Sequence, residues 1–373
     1  MKTATIGSAM IDIITVVADH DIERISMTNA DNSFLMLEQG RKIDALNITT
    51  HVGGGAINAA VAFARQGHET TPTVKIGKDL EGKQVQALLD REGLKTSNLM
   101  QTDKATTGRS VIIASHDRNA SIFTMRGANC LITEKEITRE LFAGIDLLHI
   151  APMSNESADA FPAIAKRGKE AGAFVVANPG KRQITRRGED LLGSIQNLDL
   201  ININRHEAET LLPLLMKQTK GSAIKSIQIS DDHASGLLTR GLLNEHHHCT
   251  LAGFMSAIQN LGCRHVLVTD GTGGAYLATP EGLYHCPILK TEVKGSAGAG
   301  DSFTSTSGLQ LAAGTEPAKA LQLASINASS VVEYVDTQTG LLSMDELKKR
   351  LKIHVDKLPI QFWPWQQEPR QLN

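Results

Sequence analysis

Cysteine is scarce in this sequence: Cys130, Cys249, Cys263 and Cys286 are the only four in 373 residues, and none stands in CxxC spacing. That excludes a disulfide framework and a zinc site written in sequence. Charge of one sign is lacking too. A formal net charge of −2 offers no bulk attraction to nucleic acid or to an anionic membrane surface, and neither partner is expected. No apolar run is long enough to span a bilayer, and Asp12 interrupts the apolar start, so no secretory leader is read and a cytoplasmic location is expected. Internal repeats and low-complexity segments are absent. There is no GxxxxGK[ST] loop, and Gly7-Ser8-Ala9-Met10 is not the glycine fingerprint that an NAD-dependent oxidoreductase needs after its first strand.

What is present reads as a soluble α/β protein with a large core, 41% apolar and 21% charged. From Ile145 onward, apolar strands (IDLLHIAP, AFVVANPG, LDLININ) alternate with helices expected at 157–171 and 187–195. That rhythm predicts a doubly wound, mostly parallel sheet covered by helices on both faces, with ligands at the carboxyl ends of its strands. Residues 3–17 read as a first buried strand, with Asp12 where it runs out, facing a cleft. Two β-rich stretches, about 18–52 and 104–127, interrupt the body, the second a hairpin around Asp117-Arg118-Asn119. Paired, they make a small β-rich lid on what reads as a single domain over 1–373. Residues 213–250 read as a polar insertion that carries a short helix or hairpin and ends in His246-His247-His248-Cys249. Adjacent residues cannot all reach one ion, so a solvated loop is expected there. Trp363 and Trp365 lie in a tail that either packs back on the body or meets a partner subunit.

The chemistry concentrates in Gly295-Ser296-Ala297-Gly298-Ala299-Gly300-Asp301 and the small-residue run behind it. A helix starting here brings the amides of Gly298, Ala299 and Gly300 and the positive end of its dipole to an anion. Asp301 beside them can take a proton from a hydroxyl, or can merely cap the helix. A base beside an anion hole points to phosphoryl transfer to an alcohol. Gly53-Gly54-Gly55-Ala56-Ile57-Asn58 opens another helix, with Asn58 placed to hydrogen-bond a polyol. Asn204 and Glu207 follow a strand end and are either a capping box or a contact to magnesium and phosphate. Thr269, Gly271 and Gly274 mark a strand–turn–strand, and Asn327 lies on a helix of small residues able to approach a flat ring.

The stretches GGGAIN, GAN, NPG, Asn204 to Glu207 and GAGD stand in the order typical of the ribokinase-type (PfkB) carbohydrate kinases, which the chain resembles from Thr3 to Ile353. The resemblance implies a ribokinase-like fold, ATP and magnesium as cofactors, and a sugar or nucleoside held between lid and body. It makes Asp301 the base, with Gly298, Ala299 and Gly300 as the anion hole. Asp12, Gly54, Asn58 and the GAN residue Asn129 become substrate contacts. Asn204, Thr269, Gly271, Gly274 and Asn327 lie toward the nucleotide, and Glu207 meets magnesium through water. Arg109 and Arg126 flank the lid hairpin and are either contacts for an anionic or ketose substrate or ordinary solvated residues. Met10 and Ala151 stand where ribokinases have Asn and Glu, which disfavours ribose, and Gly295 replaces an Asp tied to potassium activation. The leading expectation is ATP-dependent phosphorylation of a hydroxymethyl group on a small sugar. A nucleoside kinase and a non-catalytic sugar-binding relative are the alternatives. Exposed lid edges suit a homodimer.

Overall fold

The structure is a computed structural model and describes residues 1–18, 23–26, 33–36, 39–40, 42–114, 120–220, 223–229, 236–366 and 370–371. Its first strand, β1 (Lys2–Gly7), is buried at every residue but the first, as a strand covered on both faces must be. The periodicity predicts that this strand runs on to residue 17. It breaks at Ser8 and Ala9 instead, and β2 (Met10–Val17) enters a second sheet. Both halves alternate apolar side chains, so the break leaves no mark in the pattern. What holds it is Asn129, whose Oδ1 accepts from the Ala9 N–H at 2.9 Å and whose Nδ2 donates to the Ala9 carbonyl at 2.9 Å. The small sheet thus starts at Met10, not near residue 18.

The chain continues through β3 (Glu23–Ser26) and β4 (Ser33–Met36), an antiparallel pair of their own, to β5 (Ala45–Gly53). Next come α1 (Gly55–Arg65), β6 (Glu69–Gly77), α2 (Leu80–Arg91) and β7 (Leu99–Thr102), then β8 (Gly108–Ala114) and β9 (Ala120–Met125). The small sheet has the order β5-β2-β8-β9. The expected turn at Asp117-Arg118-Asn119 lies outside the described residues. The body resumes with β10 (Leu147–Ile150), α3 (Glu156–Asp159), α4 (Phe161–Glu170), β11 (Phe174–Ala177), α5 (Gly180–Ser194), β12 (Leu200–Asn204) and α6 (Arg205–Gln218). Two helix expectations are corrected here. The helix at 157–171 is divided between α3 and α4, because Pro162 in the first turn of α4 has no N–H to donate back into α3. The helix expected at 187–195 is preceded by another helical segment from Gly180, and the two meet in α5 across a kink at Arg187 (φ −139°, ψ 34°).

The segment 213–250 does not start as an excursion: Pro213 lies inside α6. After it come β13 (Ala223–Ile224), α7 (Gly236–Arg240), β14 (Leu242–Asn244) and β15 (His247–Cys249), with 221–222 and 230–235 outside the described residues. The expected short helix or hairpin is present as both, α7 and the β14–β15 hairpin; within the histidine run His246 lies in the turn, while His247 and His248 are in a strand rather than a loop, pairing with Asn244 and Leu243. Among the described residues no group of three His, Cys, Asp or Glu could hold a metal ion. The remaining elements are α8 (Leu251–Asn260), β16 (His265–Thr269), β17 (Ala275–Ala278), β18 (Gly282–Cys286), α9 (Ala299–Ala312), α10 (Pro317–Val331), α11 (Met344–His354), β19 (Gln361–Pro364) and β20 (Arg370–Gln371).

Ten strands form the main sheet in the order β19-β18-β17-β16-β12-β11-β10-β1-β6-β7. From β16 to β7 they run parallel, and the last three are antiparallel additions at one edge. Neighbouring residues divide between two cores. Leu148, Val175, Ile201 and Val266 pack with Ile164, Leu191, Leu211 and Phe254 of α4, α5, α6 and α8. Leu147, Val176, Leu200 and Leu267 pack with Phe63, Leu309 and Leu321 of α1, α9 and α10. The sheet is therefore covered on both faces. Its strand order reverses between β1 and β10, the switch point at which such sheets open a crevice at their carboxyl edge. The tail packs back on the body: Trp363 is buried in β19, and the Trp365 indole N–H donates to the Thr279 carbonyl at 2.8 Å. All four cysteines are free, and no helix among the described residues is long and apolar enough to cross a membrane.

Candidate active site

The crevice at the switch point is where α9 begins. Gly298 precedes it in the left-handed region, φ 80°, and a Cβ there would come within 2.8 Å of the Thr337 Cβ, so only glycine fits. Asp301 is not the cap of this helix but lies inside its first turn, and no side chain caps the end. The amides of Ala299 and Gly300 thus keep their capacity for an anion, at the positive end of the dipole.

Asp301 is partly buried, and its Oδ2 accepts from the Asn58 Nδ2 at 2.9 Å. Burial raises its pKa above the ordinary carboxylate value, the Asn58 bond pulls it back, and the nearby Asp12 charge raises it further. Asn58, expected to meet a polyol, thus donates to Asp301. Its Oδ1 accepts from the Thr337 Oγ1 at 2.8 Å and the Gln338 Nε2 at 3.1 Å. An ionised Asp only accepts and the Gln338 amine only donates, so this set fixes which way the Asn58 amide points. The turn behind it is tied in place by Asp336, whose Oδ1 accepts the N–H groups of Gln338 and Thr339 at 2.9 and 2.7 Å. Nothing in the sequence marks Asp336, Thr337 and Gln338 as supports of the Asn58–Asp301 pair; they carry no motif. A cavity of about 510 Å³ lies behind this turn, bounded by Arg65, Arg91 and His51, and does not include Asp301.

Asp12 arrives from the small sheet. It sits within β2 rather than at a strand end, opposite His51 of β5 and Ser110 of β8, whose hydroxyl donates to it. Gly53 makes room for it: a Cβ there would lie 2.0 Å from the Asp12 Oδ2. Burial raises the Asp12 pKa, against the Ser110 bond and the His51 charge. Two carboxylates, one from the small sheet and one from helix α9 of the body, therefore sense one another across the crevice.

The other end of the crevice is built by β12 and β16, where Asn204 and Thr269 pair in register. Asn204 and Glu207 form a capping box at the start of α6: the Glu207 N–H donates to the Asn204 Oδ1, and the Asn204 N–H to the Glu207 Oε2, each at 2.9 Å. The Lys181 N–H of α5 also donates to Glu207. Burial nonetheless raises the Glu207 pKa. Gly271 (φ 52°) and Gly274 (φ 87°) shape the turn after Thr269, and Asp270 within it lies 3.6 Å from Arg205 and 4.0 Å from Arg240.

An uncapped glycine-led helix carrying a half-buried carboxylate, at the switch point of a ribokinase-like sheet, is matched by family comparison: the chain fits the pfkB family carbohydrate kinase over residues 2–344. The chain belongs to the pfkB family of carbohydrate kinases. By that membership it is an ATP-dependent carbohydrate kinase. The bifunctional ribokinase/ribose-5-phosphate isomerase A of Fructilactobacillus sanfranciscensis is 23% identical over 344 residues, 89% of this chain and 57% of that protein, so the chain spans little more than half of that relative. Arabidopsis thaliana ribokinase, solved with ribose and ATP, shares the fold at a TM-score of 0.68 and 21% identity, over 94% of this chain and 98% of its own. Burkholderia thailandensis nucleoside kinase, in complex with inosine, shares it at 0.69 and 18%, over 96% and 100%.

Four residues expected in this kinase's site are employed elsewhere. Arg109 lies on the outer face of the small sheet, in register with Ile11 and Met125, and pairs with Glu81 of α2 at 2.7 Å. Asn129 spends its amide on Ala9, as described. Gly54 packs against Ser8, whose carbonyl oxygen would lie 2.5 Å from a Cβ at that position. Asn327 is wholly buried, donating to the Thr306 Oγ1 at 2.8 Å and accepting the Leu342 N–H at 2.9 Å. The small residues of α10 let it pack closely on α9.

Proposed function

We propose that this kinase transfers the γ-phosphoryl group of ATP to a hydroxymethyl oxygen of a small sugar, with Asp301 as general base. The observation that carries the reading is Asp301 in the first turn of an uncapped helix, facing the Asp12 side of a second sheet. Its raised pKa suits a group that must take a proton yet be ionised near neutrality. The Ala299 and Gly300 amides, with Gly298 before them, receive the negative charge that develops on transfer. Asn58 holds the Asp301 carboxylate by one oxygen and leaves the other free for the acceptor hydroxyl. Asp12, with the small sheet as lid, accepts from a second hydroxyl of the acceptor and orients it. ATP supplies the phosphoryl group and magnesium neutralises its phosphates. Asn204, Thr269, Gly271 and Gly274 are the nucleotide's neighbours in this reading. Glu207 retains lone pairs beyond the N–H groups it already accepts, which fits a hydrated magnesium met through water.

The test is Asp301→Asn: turnover is expected to fall by about three orders of magnitude while ATP still binds, by analogy with other lost general bases. Undiminished turnover would refute the role. A nucleoside acceptor is the second reading, favoured by the fold shared with the inosine-bound kinase. A panel of sugars and nucleosides separates the two, and running it with potassium or sodium tests whether Gly295, in place of the Asp tied to potassium activation, removes that dependence. The outer face of the lid exposes Ile48, Val111, Phe123 and Met125, which suits a second copy packed there. A monomer by light scattering at all working concentrations would remove that dimer.

A further inference from the structure

Arg109 and Arg126 flank one hairpin, and the structure sends them to different places. Ser110 pairs with Asp12 and with Thr124, and Gly108 pairs with Met10, so one more step of the ladder sets Arg126 across from Gly108 on the Asp12 face. The close approach agrees: a Cβ at Gly108 would lie 2.9 Å from the Arg126 carbonyl oxygen and 3.3 Å from the Met10 Cγ. Arg126 is partly buried, and its Nε is buried with no hydrogen-bond partner. The ionised side chain that acts on it is another cation, Arg182, exposed in the first turn of α5 at the carboxyl edge of the main sheet. Burial first, and the Arg182 repulsion second, pull the Arg126 pKa below its ordinary value, and Cys130 is the other titratable neighbour. Among the described residues no carboxylate pairs with either guanidinium.

Two guanidinium groups brought together without an acid, one of them half desolvated, cost free energy unless an anion joins them. Guanidinium forks match carboxylate and phosphate oxygens, and the start of α5 adds the positive end of its dipole. We propose that Arg126 and Arg182 bind an anionic group, carboxylate or phosphate ester, on the acceptor, making the preferred substrate a sugar acid or a phosphosugar with a free hydroxymethyl group. The assignment rests on the kinase reading above. Ala151, buried at the carboxyl end of β10, brings no carboxylate to oppose such an anion. Arg109, held by Glu81 on the other face, takes no part.

The test compares acceptors of matched skeleton, ribose with ribonate and fructose with fructose 6-phosphate, the two pairs distinguishing carboxylate from phosphate. At least one anionic member is expected to exceed its neutral partner in kcat/KM by about a hundredfold, the worth of two charge-assisted hydrogen bonds. Arg126→Met and, separately, the exposed Arg182→Gln are expected to cut that ratio by at least about tenfold each, with Arg126→Lys intermediate. Preference for the neutral member, or a ratio unchanged in both variants, would overturn the proposal. A binding measurement keeps it apart from the catalytic reading. Calorimetry on the Asp301→Asn protein should show ribonate or fructose 6-phosphate binding more tightly than the neutral sugar, an advantage lost on adding Arg126→Met or Arg182→Gln. Anions that bind no better than neutral sugars there would sink the anion site even if Asp301 proves to be the base.

Discussion

The two ends of the crevice hold their carboxylates by different means. Glu207 is fixed by its own neighbourhood: Asn204, three residues before it, exchanges two hydrogen bonds with it, and the first turn of α5 adds a third. Asp301 is fixed across the fold. Asn58 holds it from 243 positions away and is itself held by Thr337 and Gln338. A capping box forms wherever its helix forms. The Asp301 support exists only once α1, α9 and the turn at Asp336 are packed together, so it reports on the whole body.

Breaking the long-range support should have the larger effect. Asn58→Leu removes the one bond that favours the ionised Asp301, so its pKa, already raised, rises further. A base must be ionised, so activity is lost from the acid side first. The acid limb of the kcat/KM profile should move to higher pH, and turnover near neutrality should fall by about 100-fold, the worth of a charge-assisted bond plus the lost alignment. An unmoved limb would mean that Asn58 only packs. Glu207→Gln, at the local end, should raise the KM for ATP by about tenfold with a melting temperature within a few degrees, because Gln can still accept the Asn204 N–H. A shift in melting temperature with no change in that KM would reduce Glu207 to a cap.

The smallest effect sharpens the contrast from the lid. The Asp12 pKa is raised in the folded protein, so its ionisation weakens folding as pH climbs from its ordinary value through the raised one. Asp12→Asn should therefore raise the melting temperature at neutral pH, by about 1 kcal/mol in stability, while weakening the acceptor. It should also move the Asp301 limb to lower pH by removing a like charge. No change in that limb would show that the two carboxylates do not communicate.

The same contrast explains what the sequence revealed. Elements that signal locally were legible: GAGD at the head of a small-residue helix, the Asn204 to Glu207 box, and apolar strands alternating with helices. The order of the glycine-rich stretches carried the family. What depends on tertiary pairing was not legible. Asn58 looks free for a ligand because Thr337 and Gln338 lie far along the chain, and Asn327 looks available to a ring because nothing local shows Thr306 and Leu342 closing on it. Arg109 and Arg126 are equivalent by spacing, and only the strand register separates the one tied to Glu81 from the one left beside Arg182. The break at Ser8 was hidden because two sheets share one alternating pattern.

That break also provides a clock. The Ala9 N–H is buried, donates to the Asn129 side chain rather than to a strand, and sits where the chain passes from the main sheet into the small one. It can exchange with deuterium only when that clip lets go. Its exchange therefore reports, at a single amide and with no substrate bound, how often the junction between the two sheets opens.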